Sequence, residues 1–143
     1  MPPSTLPLLL VDDEPGDIFL LQRSLKKANI IVPDRIATDG EQAISYLSGA
    51  DKFADRDAFP MPRAIFLDLK MPFVSGFDVL EWLRTQPQLA SIPVFVLTGS
   101  SIERDRQRAL ELGAKAYLVK PASPETLLKI LELARAEPQQ PTP

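Results

Sequence analysis

A chain of 143 residues, 45% of them apolar, is long enough to build one packed domain and too short for two. A net charge of −3 offers nothing to a nucleic-acid backbone or an anionic membrane surface. The lack of cysteine and histidine removes disulfides, thiolate chemistry, the usual general base and histidine–metal sites, so any bound metal is a hard cation held by oxygen.

Residues 1–6 read as a frayed leader. Leu8–Val11 is a continuous apolar run, the habit of a strand buried on both faces, and it ends on Asp12, Asp13 and Glu14. The run is far too short to cross a bilayer and has no basic lead-in, which suits a cytoplasmic protein. Pro15 and Gly16 break it. From Asp17, Ile18, Leu21, Leu25 and Ala28 recur at helical steps. Ile30–Ala37 is a weaker strand interrupted by Pro33, which suits a sheet edge or a late start. Thr38 and Glu41 read as a capping box for a short helix buried through Ala43, Ile44 and Leu47, with Gly49 closing it.

Residues 50–62 read as a long loop. Ile65, Phe66 and Leu67 then form a third buried strand that runs into Asp68, and Pro72 takes the chain out of the sheet. Ser75 caps the next helix, whose Phe77, Leu80 and Leu83 face inward. Ile92–Leu97 is a fourth apolar strand ending on Thr98 and Gly99. Ser100 and Glu103 suggest another capping box, before a helix with the thin apolar stripe Ile102, Ala109 and Leu112. Ala114–Val119 is the fifth strand and ends on Lys120 and Pro121. Ser123 and Pro124 open a last helix buried through Leu127, Ile130, Leu131 and Ala134. Residues 137–143 are expected to be flexible.

Five β–α alternations specify an α/β domain at residues 7–136: a doubly wound parallel sheet with helices on both faces. In the order 2-1-3-4-5 the first and third strands are neighbours where the winding reverses, and ligands bind beyond the carboxyl ends of the strands there. Asp12, Asp13, Asp68, Thr98 and Lys120 all stand at such ends. Crowded carboxylates repel by a few kcal/mol per pair at an effective dielectric of about 20, so a proton or a cation must sit among them. With oxygen donors only, Mg²⁺ is the natural ion. A carboxylate nucleophile, a divalent metal, a lysine and a hydroxyl make a phosphoryl-transfer site whose product is an aspartyl phosphate. Taken singly, Thr98 reads as a turn residue, Tyr117 as packing, Lys120 as a surface lysine and Ser100 as a cap. Their shared place at the ends of apolar strands is what singles them out.

VDDEPGD, FLDLKMP, VLTGS and AYLVKP, in this order, resemble the receiver domain of two-component response regulators over about residues 7–136. The resemblance implies a (βα)5 flavodoxin-like fold and a phosphoryl switch rather than an enzyme acting on other substrates. It implies Asp68 as phospho-acceptor, receiving the group from the phosphohistidine of a sensor histidine kinase, since this chain has no histidine. Asp12, Asp13 and Asp68 then serve Mg²⁺, Asp13 as the preferred direct ligand of the acidic pair, and Lys70 gives the metal its backbone carbonyl. Thr98 and Lys120 bind the phosphoryl group, Thr98 and Tyr117 form the switch pair, and Lys70 and Ser100 tune dephosphorylation. The Lys120–Pro121 peptide is usually cis in the family. No output domain is expected, so output passes to a downstream protein through the fourth helix, fifth strand and fifth helix, a face that also suits homodimerisation.

The long 50–62 loop resembles the small response regulators that partner bacterial and cyanobacterial phytochromes; a tolerated surface insertion is the plainer reading. Two other functions compete. A phosphatase of the haloacid-dehalogenase type needs an acid two residues after its nucleophile, where this chain has Lys70. A receiver that binds partners without phosphorylation would not need the full set of chemical residues present here.

Overall fold

The computed structural model describes residues 6–136, so apart from Leu6 the termini expected to be flexible lie outside the described residues. Five strands pair in parallel in the order β2-β1-β3-β4-β5. They are β1 (Leu8–Val11), β2 (Asp34–Ala37), β3 (Ala64–Leu67), β4 (Val94–Thr98) and β5 (Ala116–Val119). The helices are α1 (Pro15–Lys27), α2 (Gly40–Ser48), α3 (Gly76–Arg84), α4 (Glu103–Glu111) and α5 (Pro124–Ala136). This is the doubly wound architecture that the alternation of apolar runs and helical stripes specifies.

The central strands β1, β3 and β4 are buried throughout, and their pleat sorts alternate residues into two cores. Leu8, Leu10, Ala64, Phe66, Phe95 and Leu97 pack with Ile18, Leu21 and Leu25 of α1 and Leu127 and Leu131 of α5. Leu9, Val11, Ile65, Leu67, Val94 and Val96 face α2, α3 and α4. A fully buried side chain of this size contributes roughly 1.5–3 kcal/mol, so the three central strands fix the register of everything at their ends.

Several local readings change. Pro15 does not break the chain away from the strand; it sits in the first turn of α1, where its missing N–H has no cost. β2 is an edge strand that starts late, at Asp34, as Pro33 suggests; Pro33 has no N–H for the ladder, and its carbonyl accepts from Leu8 N. The cap of α2 is Asp39 rather than Thr38: its Oδ1 accepts from Gln42 N at 2.8 Å, and Gln42, not Glu41, reaches back to Thr38 N at 2.9 Å. Ser75 caps α3 as expected and shares a full capping box with Asp78. Ser100 and Glu103 do not form a box. The cap position of α4 is Ile102, which is exposed rather than part of a buried stripe, and Glu103 pairs with Arg106. Ser123 Oγ accepts from Thr126 N at the start of α5.

The 50–62 segment is a packed loop. A 3-10 turn at Asp51–Ala54 brings Phe53 to 5.1 Å from the ring of Tyr46, with Phe59 edge-on to both. At the end of α2, Arg56 donates to the carbonyls of Tyr46 (2.8 Å), which also accepts from Gly49 N at 3.3 Å, and Leu47 (3.1 Å), and to that of Phe59 (3.1 Å). Among the described residues, no helix is long and apolar enough to cross a membrane.

Candidate functional site

Register brings the reactive residues together. Val11 pairs with Leu67, so Asp12 and Asp68 leave the sheet side by side, and Asp68 N donates to the Val11 carbonyl at 3.0 Å. Thr98 pairs with Val119, so Lys120 emerges one step beyond it, its N–H on the Thr98 carbonyl at 2.8 Å. By the pleat, Asp12, Asp68 and Lys120 follow Leu10, Phe66 and Leu118 on the α1/α5 side. Thr98 follows Val96 on the other side, where Tyr117 also packs.

Asp12, Asp68 and Thr98 are the buried polar residues among those described. One carboxylate oxygen from each of Asp12, Asp13 and Asp68 lies within 4.8 Å of the others, with Asp13 the most open to solvent. Asp68 Oδ1 and the Thr98 hydroxyl are buried without a hydrogen-bond partner. A buried orphan oxygen beside two more carboxylates is a poor structural arrangement and a good donor set for a hard divalent cation, so the residues fit Mg²⁺. The ion would supply positive charge for phosphoryl oxygens.

Lys120 Nζ donates to Asp12 Oδ2 at 2.7 Å and to Asp17 Oδ2 at 2.8 Å, and stands 3.5 Å from Asp68 Oδ2. Burial alone would lower the Lys120 pKa; the hydrogen bonds to Asp12 and Asp17 and the charge of Asp68 overcome it and hold the ammonium charged far above neutral pH. For Asp68, burial raises the pKa, Lys120 opposes the rise and Asp12 adds to it; the net direction is upward. The site thus holds its central carboxylate under stress that a cation would relieve.

The remaining expected residues occupy a second layer. Lys70, two residues past Asp68, turns its ammonium to Asp105 Oδ2 at 3.3 Å. Ser100 Oγ donates to that same oxygen at 2.7 Å, and its carbonyl accepts from Tyr117 OH at 2.8 Å. Lys120–Pro121 is cis. Lys70, Ser100, Asp68 and Lys120 line one open cleft.

Three contributors escaped sequence reasoning. Asp17 reads as the start of a helix, yet a helix beginning right at the strand end puts a first-turn acid beside Lys120. Asp105 is hidden in a charged run. Gly76 lets α3 pack under the Asp68 loop: a methyl there would run into the Asp68 carbonyl and lie 2.7 Å from Leu69 Cα.

A family model for the response regulator receiver domain matches residues 8–132. The response regulator Rcp1 of Synechocystis is 34% identical over 125 residues, covering 87% of this chain and 83% of Rcp1. A structure of Rcp1 in its Mn²⁺-bound form superposes with a TM-score of 0.73, covering 92% of each chain at 33% identity. The bacteriophytochrome response regulator AtBRR superposes with a TM-score of 0.79 at 34% identity, over 92% of this chain and 94% of its own. The transcriptional regulatory protein GltR of Pseudomonas aeruginosa is 38% identical over 121 residues, which are 85% of this chain but 45% of GltR.

Proposed function

Because the chain belongs to the receiver-domain family of two-component response regulators, we propose that it is a Mg²⁺-dependent phosphoryl switch with Asp68 as the acceptor. A carboxylate oxygen of Asp68 forms a bond to phosphorus as the P–N bond of a kinase phosphohistidine breaks, and the electron pair stays on the histidine nitrogen. The observation that carries this reading is the Asp68 environment: a buried carboxylate with an orphan oxygen, two acids within 4.8 Å and an ammonium at 3.5 Å. Asp12, Asp13 and Asp68, with the backbone carbonyl of Lys70, would hold the metal, which would supply positive charge to the transferring group.

Lys120 follows the new phosphoryl charge. The Thr98 hydroxyl, buried with no partner, donates to a phosphoryl oxygen, and Tyr117 gives up its bond to the Ser100 carbonyl as its ring moves inward. Lys70 and Ser100 set how long the group lasts. Output passes to a partner protein, or to a second copy of the chain, through the α4–β5–α5 face, where Ile102 and Val119 are exposed. The likeness to the bacteriophytochrome response regulator AtBRR favours a phytochrome-type histidine kinase as the donor, in the cytoplasm.

The test is labelling with acetyl phosphate. Wild-type protein should take up phosphate with Mg²⁺ and not with EDTA, and Asp68→Asn should take up none. Equal labelling of Asp68→Asn, or none in the wild type, would refute the reading. Sustained turnover of a generic phosphate ester would point to a phosphatase instead.

A further inference from the structure

The contacts of Asp105 tie together the two positions expected to govern the lifetime of the phosphoryl group. Its Oδ2 accepts from Ser100 Oγ at 2.7 Å and pairs with Lys70 Nζ at 3.3 Å. The Ser100 carbonyl is in turn held by Tyr117 OH at 2.8 Å. One carboxylate on α4 therefore links the β3–α3 loop to the β4–α4 loop, and through Ser100 to β5. The hydrogen bond from Ser100 keeps the Asp105 carboxyl below the usual carboxylate range, so it is charged at neutral pH.

Lys70 and Asp68 line the same open cleft, and Lys70 is three-fifths exposed on a flexible stem. A phosphoryl group on Asp68 would bring a charge of about −1.5 to −2 into that cleft. Lys70 then has two competing anions, and Asp105 is the one that draws it away.

We propose that Asp105 is a positioning residue for dephosphorylation: it holds Lys70 aside, which keeps the phosphoryl group open to water and shortens its lifetime. The inference rests on the phospho-acceptor reading above. In the step it governs, the oxygen of a water forms a bond to phosphorus and the P–O bond to Asp68 breaks. The electron pair stays on the Asp68 carboxylate, inorganic phosphate leaves, and the water's proton goes to that phosphate or to solvent. A Lys70 released from Asp105 lies over the phosphoryl oxygens, offsets their charge and fills the path of the incoming water.

The experiment follows loss of label from protein phosphorylated with acetyl phosphate and Mg²⁺, then freed of the donor. Asp105→Asn keeps an acceptor for Ser100 and removes the charge that holds Lys70. Because the Lys70 ammonium is mostly exposed and so screened, the variant's label should last longer by about threefold or more rather than by orders of magnitude. Asp105→Glu should restore the wild-type decay. In a Lys70→Ala background, adding Asp105→Asn should change nothing further, an outcome that a merely structural role for Asp105 would not give. An unchanged or shorter lifetime for Asp105→Asn, or the same lengthening without Lys70, overturns the proposal. If the wild type takes no label at all, the phospho-acceptor reading itself has failed, and this inference with it.

Discussion

Replacing Asp68 with asparagine should stabilise the metal-free protein. Lys120 at 3.5 Å attracts the Asp68 carboxylate by about 5 kcal/mol at an effective dielectric of about 20. Asp12 and Asp13, with oxygens within 4.8 Å, each repel it by roughly 3–4 kcal/mol on the same scale. Asp13 is the most open of the three and so the most screened. The charges therefore come near to cancelling, and the burial penalty of a carboxylate that is 5% exposed, with one oxygen orphaned, is left over. A neutral amide of the same shape avoids it, for an expected gain of about 1–2 kcal/mol.

Urea denaturation in EDTA at neutral pH measures this gain. The sign with pH is fixed. The folded Asp68 binds its proton more tightly than the unfolded one. The wild-type penalty is thus full above the folded pKa and disappears as pH falls to the unfolded value of about 3.9. The advantage of Asp68→Asn should shrink along the same path. With Mg²⁺ the order should narrow or reverse, since only the wild type keeps all three carboxylates for the ion. A variant less stable than wild type in EDTA, or an advantage that grows on acidification, would refute the crowded-carboxylate account.

Two further substitutions probe what supports the site. Gly76→Ala should lower stability by about 1–3 kcal/mol and slow phosphate uptake, because α3 or the Asp68 loop must move to admit the methyl; normal uptake and stability would show that the approach is not tight. Arg56→Ala takes the guanidinium donor from the carbonyls of Leu47 and Phe59, leaves that of Tyr46 with only the longer bond from Gly49 N, and should cost about 1–3 kcal/mol by denaturation. Hydrogen exchange should rise in α2 and residues 50–62 first, and a change spread evenly over the sheet would count against a local clasp.

The sequence discloses the sheet because its central strands need no partner pattern to be seen. Leu8–Val11, Ile65–Leu67 and Val94–Leu97 are buried on both faces, so each is an unbroken apolar run whose last step is polar. The same logic exposes Asp12, Asp68 and Thr98, while Lys120 follows the half-buried edge strand β5. What stays hidden depends on distances that periodicity does not encode. Asp17 matters only because α1 begins at Pro15, with three residues between it and the end of β1. Asp105 matters only because two loops converge on it. Gly76 matters because of a backbone approach, and Arg56 because its fork reaches across to α2. The shift of the α2 cap from Thr38 to Asp39 is a choice between two good capping residues, which the hydrogen-bond geometry of Gln42 decides.

The pleat of the central strands places Asp12, Asp68 and Lys120 over one helical layer and Thr98 and Tyr117 over the other. The sheet is therefore a partition between the acidic cluster and the Thr98–Tyr117 pair, and its rim at Thr98 is where the two meet. Substitutions in α1 can retune the acidic cluster while the α4 layer, on the far face of the sheet, keeps its own packing.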